Sequence, residues 1–235
     1  MKSLIIALDL PTAEDALDLV DRLGDAADYY KVGAHLFTRT GPPLVQALKD
    51  RGKRVFLDLK YHDIPYTVAG AVESAAALGV DMLTLHASGG VAMMQAAREA
   101  VGDEGPTLVG VTLLTSFTAA DVEQVWAKEI RSLRDEVARL SGLAAEAGLD
   151  GVVSSALEVE ALKRKHGSEF VVVTPGIRPA GEVPGDQVRT ATPAEAVRAG
   201  ADYLVIGRPV HGAADPGAVV GSILDEISAA AEGSV

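Results

Sequence analysis

The sequence predicts an α/β chain folded as one (β/α)8 barrel, residues 1–235 forming a single domain of eight parallel strands with its site at their C-terminal ends. Three observations lead there. Short runs rich in Val, Ile and Leu recur along the chain and alternate little, which is how strands covered on both faces read. Helical patterns separate successive runs. A length of 235 residues suits one closed barrel, the simplest way to hold eight parallel strands in a chain of this size.

The expected strands cover 4–9, 29–33, 54–58, 82–86, 108–112, 151–154, 170–174 and 203–206. The expected helices cover 12–23, 42–51, 67–78, 90–101, 130–147, 156–165, 193–199 and 216–231. The first strand is a short apolar run ending in Asp9, an acid where a signal peptide would carry a small-residue cleavage site. The third opens as a buried strand and runs into Asp58-Leu59-Lys60, where i and i+2 on a strand point to one side. It must have ended by Asp63, because Pro65 pushes Ile64 out of helical geometry and supplies no ladder donor. Before the fourth, sixth and eighth strands stands a weak repeat: Leu78-Gly79-Val80-Asp81, Ala147-Gly148-Leu149-Asp150 and Ala199-Gly200-Ala201-Asp202. Its Gly can take the left-handed conformation that ends a helix, and its Asp can brace the turn into the strand, a matter of stability at the N-terminal face.

Composition narrows the function. There is no Cys, which excludes a disulfide framework, a thiolate nucleophile and a cysteine zinc site, and fits a reducing cytoplasm. No apolar run approaches the ~20 residues that span a membrane. A formal net charge of −12 argues against nucleic acid as a partner, so positive charge for an anionic ligand must be local.

Polar groups gather at the C-terminal ends of the expected strands: Asp9, Lys31, Asp58, Lys60 and Asp63, His86, Thr115 and Ser116, Ser154, Arg178, Gly207 and Arg208. Burying unpaired charge is costly, so groups of alternating sign either neutralise one another in a structural network or do chemistry. Their position beside a phosphate-type site favours chemistry. Asp9 could orient Lys31 or bind a substrate hydroxyl. The loops after the seventh and eighth strands each pair a Gly with an Arg, and Arg matches phosphate with its rigid fork. Two Asp at strand ends could hold Mg²⁺, but the interleaved lysines compete for that space, so no metal is expected. His62 and His86 are read as structural, and Met93, Met94 and Trp126 as packing residues.

The run Asp58-Leu59-Lys60-Tyr61-His62-Asp63-Ile64-Pro65-Tyr66-Thr67 resembles the signature of the orotidine 5′-phosphate decarboxylase family. The Asp-x-Lys-x-x-Asp core belongs to a wider suprafamily, and the Ile-Pro-x-Thr continuation makes the likeness specific. Similar segments are Ala7-Leu8-Asp9, Lys31-Val32-Gly33, Leu114-Thr115-Ser116, Pro175-Gly176-Ile177-Arg178-Pro179, Gly185-Asp186-Gln187 and Gly207-Arg208-Pro209. Tyr66 and Tyr61 depart from the family's frequent Asn and Phe. The resemblance implies a carboxy-lyase that turns orotidine 5′-phosphate into UMP and CO₂ in de novo pyrimidine synthesis, in the cytoplasm, without cofactor. It implies a homodimer with shared sites. In that reading Lys60 donates a proton to C6, and Lys31, Asp58 and Lys60 form a charged array completed by Asp63 from the other subunit, with Ile64 and Thr67. Asp9 and Lys31 contact the ribose, and Thr115 or Ser116 reads the pyrimidine edge. Gln187, Arg178, Gly207 and Arg208 hold the phosphate, and 179–191 is the candidate lid. The alternatives are a Mg²⁺-dependent decarboxylase or aldolase acting on sugar phosphates, and a non-catalytic barrel that binds a phosphate ligand.

Overall fold

A computed structural model describes residues 3–179 and 189–232. Among them eight strands, β1 Ser3–Ala7, β2 Tyr29–Gly33, β3 Arg54–Tyr61, β4 Met82–His86, β5 Thr107–Val111, β6 Gly151–Val153, β7 Val171–Thr174 and β8 Tyr203–Ile206, pair in parallel in sequence order. Ser3–Ile6 of β1 lie beside Tyr203–Ile206 of β8 and close the barrel. This is a (β/α)8 barrel.

The described helices are α1 Ala13–Leu23, α2 Ala34–Thr40, α3 Pro42–Asp50, α4 Pro65–Ala77, α5 Val91–Val101, α6 Ala119–Trp126, α7 Leu133–Glu146, α8 Ala156–His166, α9 Pro193–Ala199, α10 Arg208–His211 and α11 Pro216–Glu232. None is long and apolar enough to cross a membrane among the described residues. Three of them, α2, α6 and α10, are additions to the expected pattern. All three are short, and a few residues carry little periodicity. Helix α6 had a local signal, a capping box. Its Asp121 carboxylate accepts from the Thr118 N–H at 2.8 Å, while the Thr118 hydroxyl accepts from the Asp121 N–H at 3.3 Å. Helix α7 starts at Leu133 rather than 130 because Ser132 caps it, accepting from the Asp135 N–H at 3.1 Å. Helix α4 starts at Pro65 rather than 67, since the first helical turn needs no proline donor. Strand β1 stops at Ala7, short of Asp9, and β3 runs past Asp58 to Tyr61.

The strands are apolar on both faces because they serve two cores. Leu4, Ile6 and Leu8 face the helices within the larger cluster, whereas Ile5 and Ala7 join Tyr29, Phe56, Met82, Val109, Val173 and Val205 in a smaller cluster inside the barrel. At its edge the Tyr29 and Tyr203 rings meet edge to face, centroids 5.9 Å apart, with the Arg54 guanidinium 4.3 Å from the Tyr29 ring centre.

The repeated Gly-x-Asp turns have one architecture. The Asp81 carboxylate accepts from the Val55 N–H and from Lys49 Nζ, at 2.7 and 2.8 Å. Asp150 accepts from the Leu108 N–H at 2.7 Å and pairs with Arg98. Asp202 accepts from the Val172 N–H and from Lys163 Nζ, at 2.7 and 2.6 Å. Each acid therefore ties the start of the preceding strand to a helix cation. The expectation was a brace for its own turn. The difference follows from parallel pairing, which places a strand's leading residue beside the first free N–H of its neighbour. Asp202→Ala is expected to lower unfolding free energy by about 1–3 kcal/mol, the cost of leaving that N–H unpaired, with unchanged turnover. A urea titration alongside steady-state kinetics checks both halves.

Candidate active site

A cavity of about 510 Å³ opens at the C-terminal ends of the strands. Strand periodicity makes its floor. The inward positions Tyr29, Phe56 and Met82 belong to the barrel's apolar layer, and two residues further along the same strands stand Lys31, Asp58 and Thr84. Asp9 follows Ala7, and Gly207 follows Val205, in the same way.

Four charged groups form a row. Asp9 Oδ1 lies 2.9 Å from Lys31 Nζ, Lys31 Nζ lies 3.8 Å from Asp58 Oδ2, and Lys60 Nζ donates to both oxygens of Asp58 at 2.7 and 2.8 Å. The side chains of Asp58 and Lys31 are each only 12 % exposed, whereas Lys60 is 35 % exposed and faces the cavity. Burial pushes the Asp58 carboxyl up. The ammoniums of Lys60 and Lys31, with hydrogen bonds from Lys60 and Thr84, outweigh it and hold the group below its ordinary value. Glycine makes room for Lys31 in the row: a Cβ on Gly33 would stand 3.1 Å from Lys31 Nζ.

The geometry of β3 departs from the regular strand expected. Lys60 is left-handed, φ +53°, and the pairing of β3 with β4 shifts register between Leu57 and Tyr61. Such a conformation costs a non-glycine residue about 1–2 kcal/mol. The simple i, i+2 argument therefore brings Asp58 and Lys60 together for an incomplete reason: a bulge folds Lys60 back onto Asp58.

Arg178, Gly207 and Arg208 line the same cavity, from the ends of β7 and β8, and Thr115 lines it from the loop after β5. Ser116 is not among the lining residues. Asp63, Ile64 and Thr67 point elsewhere. They lie on an exposed stretch from His62 to Thr67, with Ile64 65 % and Tyr66 87 % exposed. Gln187 and most of the candidate lid, 180–188, lie outside the described residues.

Three features escaped the sequence reading. Thr84 contacts both Asp58 and Lys60, and its place two residues beyond Met82 could have revealed it. His211 lines the cavity, with a buried Nε2 that has no hydrogen-bond partner among the described residues. Burial and the Arg208 charge hold its imidazole below the ordinary value, against the pull of Asp9. Arg189 is buried against Glu158 at 2.8 Å and reaches the Leu114 carbonyl at 3.4 Å, beside Thr115. No sequence signal marks that pair. His86 packs against His62, rings 5.4 Å apart, and burial with the charges of His62 and Lys60 lowers its pKa.

The family model described as orotidine 5′-phosphate decarboxylase / HUMPS matches residues 2–223. The chain belongs to this family. It is 51 % identical over 231 residues to an orotidine 5′-phosphate decarboxylase of Moorella thermoacetica, covering 95 % of this chain and 91 % of that protein. It is 52 % identical over 229 residues to one from Halorhodospira halophila, covering 97 % and 96 %. The crystal structure of orotidine 5′-phosphate decarboxylase from Lactobacillus acidophilus superposes with a TM-score of 0.85 at 35 % identity, covering 97 % of this chain and 99 % of that one.

The depressed Asp58 carboxyl sets an acid dependence. Its contribution to stability is complete above the unfolded value, about pH 4, and disappears as pH falls through the lower folded value. Asp58→Asn should therefore lose less stability than the wild type as pH drops below that point. Denaturant midpoints measured across the acid range check it.

Proposed function

We propose that the chain decarboxylates orotidine 5′-phosphate to UMP and CO₂ in de novo pyrimidine synthesis, with its own side chains as the only catalytic groups. One observation carries the reading: the Lys60 ammonium is gripped by both Asp58 oxygens in a cavity that Arg178 and Arg208 also line.

When the bond from C6 to the carboxylate breaks, CO₂ departs and the electron pair stays on C6, where no conventional electron sink receives it. A fixed ammonium beside C6 stabilises that charge because it need not reorganise. Lys60 then transfers its proton to C6 as general acid, giving UMP, and regains a proton from solvent. Asp58 keeps Lys60 charged and aligned, and lies against the departing carboxylate so that their repulsion is relieved as CO₂ leaves. Asp9 and Lys31 hold the ribose, and Thr115, with Ser116 beside it, takes the pyrimidine edge. Arg178, Gly207, Arg208 and Gln187 take the phosphate, whose binding energy offsets the cost of placing the substrate carboxylate beside Asp58.

The array is completed across a homodimer by Asp63, with Ile64 and Thr67. The apolar surface of Ile64 and Tyr66, exposed beside Asp63, supports this reading. A metal-dependent reaction on sugar phosphates would place a cation among these carboxylates, a position the two ammoniums already occupy.

Lys60→Ala should reduce kcat by more than about 100-fold, within the usual worth of a general acid, while circular dichroism stays unchanged. The wild type should turn over fully in EDTA. The loss of absorbance at the orotate band reads both. Co-expressed Asp63→Ala and Lys60→Ala chains should regain turnover that neither homodimer has, because a mixed dimer then holds one intact site. A mixture as inactive as its parents would place Asp63 outside the partner's site.

A further inference from the structure

We propose that Thr84 is a positioning residue that sets the geometry of the Asp58–Lys60 pair through a single bridging hydroxyl. The inference rests on Lys60 being the proton donor. In the pairing of β3 with β4, Leu57 lies opposite Leu83 and Tyr61 opposite Leu85. Asp58, Leu59 and Lys60 therefore stand across from one residue, Thr84. A bulge of this kind leaves backbone groups without their ladder partners. The Thr84 hydroxyl takes up one of them, accepting from the Lys60 N–H at 2.8 Å. It donates its own proton to Asp58 Oδ1 at 3.0 Å.

A hydroxyl has one proton to give, and both of its roles are used here. Thr84 is fully buried, so its hydroxyl is out of reach of solvent. The direction of each bond matters. The Lys60 N–H is fixed as the donor, which commits the hydroxyl proton to Asp58 and favours the charged carboxylate. Thr84 thereby holds the left-handed backbone of Lys60 and the carboxylate that aligns the Lys60 ammonium, from one atom on the neighbouring strand. Among barrel positions its neighbours in the same inward layer, Lys31 and Asp58, carry charge. A threonine there is small enough to stand beside them and polar enough to bond to Asp58.

Two substitutions separate hydroxyl from shape. Thr84→Val keeps the branched volume and removes the hydroxyl, while Thr84→Ser keeps the hydroxyl and removes the methyl. Thr84→Val should lower kcat about 10- to 100-fold, the range for a lost hydrogen bond to a charged group, with KM for orotidine 5′-phosphate nearly unchanged. Thr84→Ser should stay close to wild type. Should Thr84→Val fail to fold, Thr84→Ala against Thr84→Ser makes the same comparison. A second readout needs no turnover: in a carboxyl carbon NMR titration, Asp58 should titrate at higher pH in the variant lacking the hydroxyl than in Thr84→Ser. Equal kcat in the hydroxyl-bearing and hydroxyl-lacking variants, or equal Asp58 titrations, would overturn the proposal. A wild type that leaves orotidine 5′-phosphate intact would instead overturn the decarboxylase reading, and the NMR comparison would still decide the role of Thr84 toward Asp58.

Discussion

A carboxylate held between two ammoniums above an apolar barrel core is the constraint on which the rest of the site depends. Removing an ion from water costs several kcal/mol even after the protein relaxes. Asp58 sits on the layer formed by Tyr29, Phe56 and Met82, where that cost is felt in full. Lys60 at 2.7 Å and Lys31 at 3.8 Å offset it only from fixed positions. Barrel closure fixes them, because every strand end is held by two neighbours. The bulge in β3 follows from the same demand: a regular strand would not fold Lys60 back onto Asp58, so the chain accepts a left-handed lysine there.

Aspartates do opposite work at the two ends of this barrel. At the N-terminal end Asp81, Asp150 and Asp202 each accept from a backbone N–H and a helix cation, and every partner is another part of the fold. At the C-terminal end Asp9, Lys31, Asp58 and Lys60 satisfy mainly one another, and they do so in the wall of an open cavity. The first arrangement has nothing left to offer a ligand. The second presents fixed charges, balanced among themselves, to whatever enters the cavity. This separation lets the fold carry strain at one end while stability is secured at the other.

The fold was legible because its signals are long and redundant. Eight apolar runs with helices between them tolerate boundary errors of a few residues, and the ends of β1, β3 and α7 were misjudged without harm to the topology. The charged row was legible too, since Lys31, Asp58 and Lys60 sit where strands meet loops. What stayed hidden depends on register between strands. The bulge cannot be read from Arg54–Tyr61 alone, because it exists only relative to β4, and Thr84 gains its role only from that offset. The Arg189–Glu158 pair is hidden for a related reason: 31 residues separate its members, and only the packed barrel shows that both are buried. His211 lies in α10, a helix too short to carry a periodic signal.

The charge balance of the site connects its two halves. Asp9 and Asp58 against Lys31 and Lys60 sum to zero, so the row by itself offers an anionic nucleotide no net attraction. The chain as a whole, at −12, repels one. In the reading proposed above, capture falls to the guanidiniums of Arg178 and Arg208, which line the same cavity. That division has a chemical consequence. A row that is already neutral can be arranged for the charge that develops at C6, because it need not also supply the attraction that brings the substrate in. Binding strength drawn from the phosphate can then hold a carboxylate close to Asp58, a placement the ring's own interactions would resist.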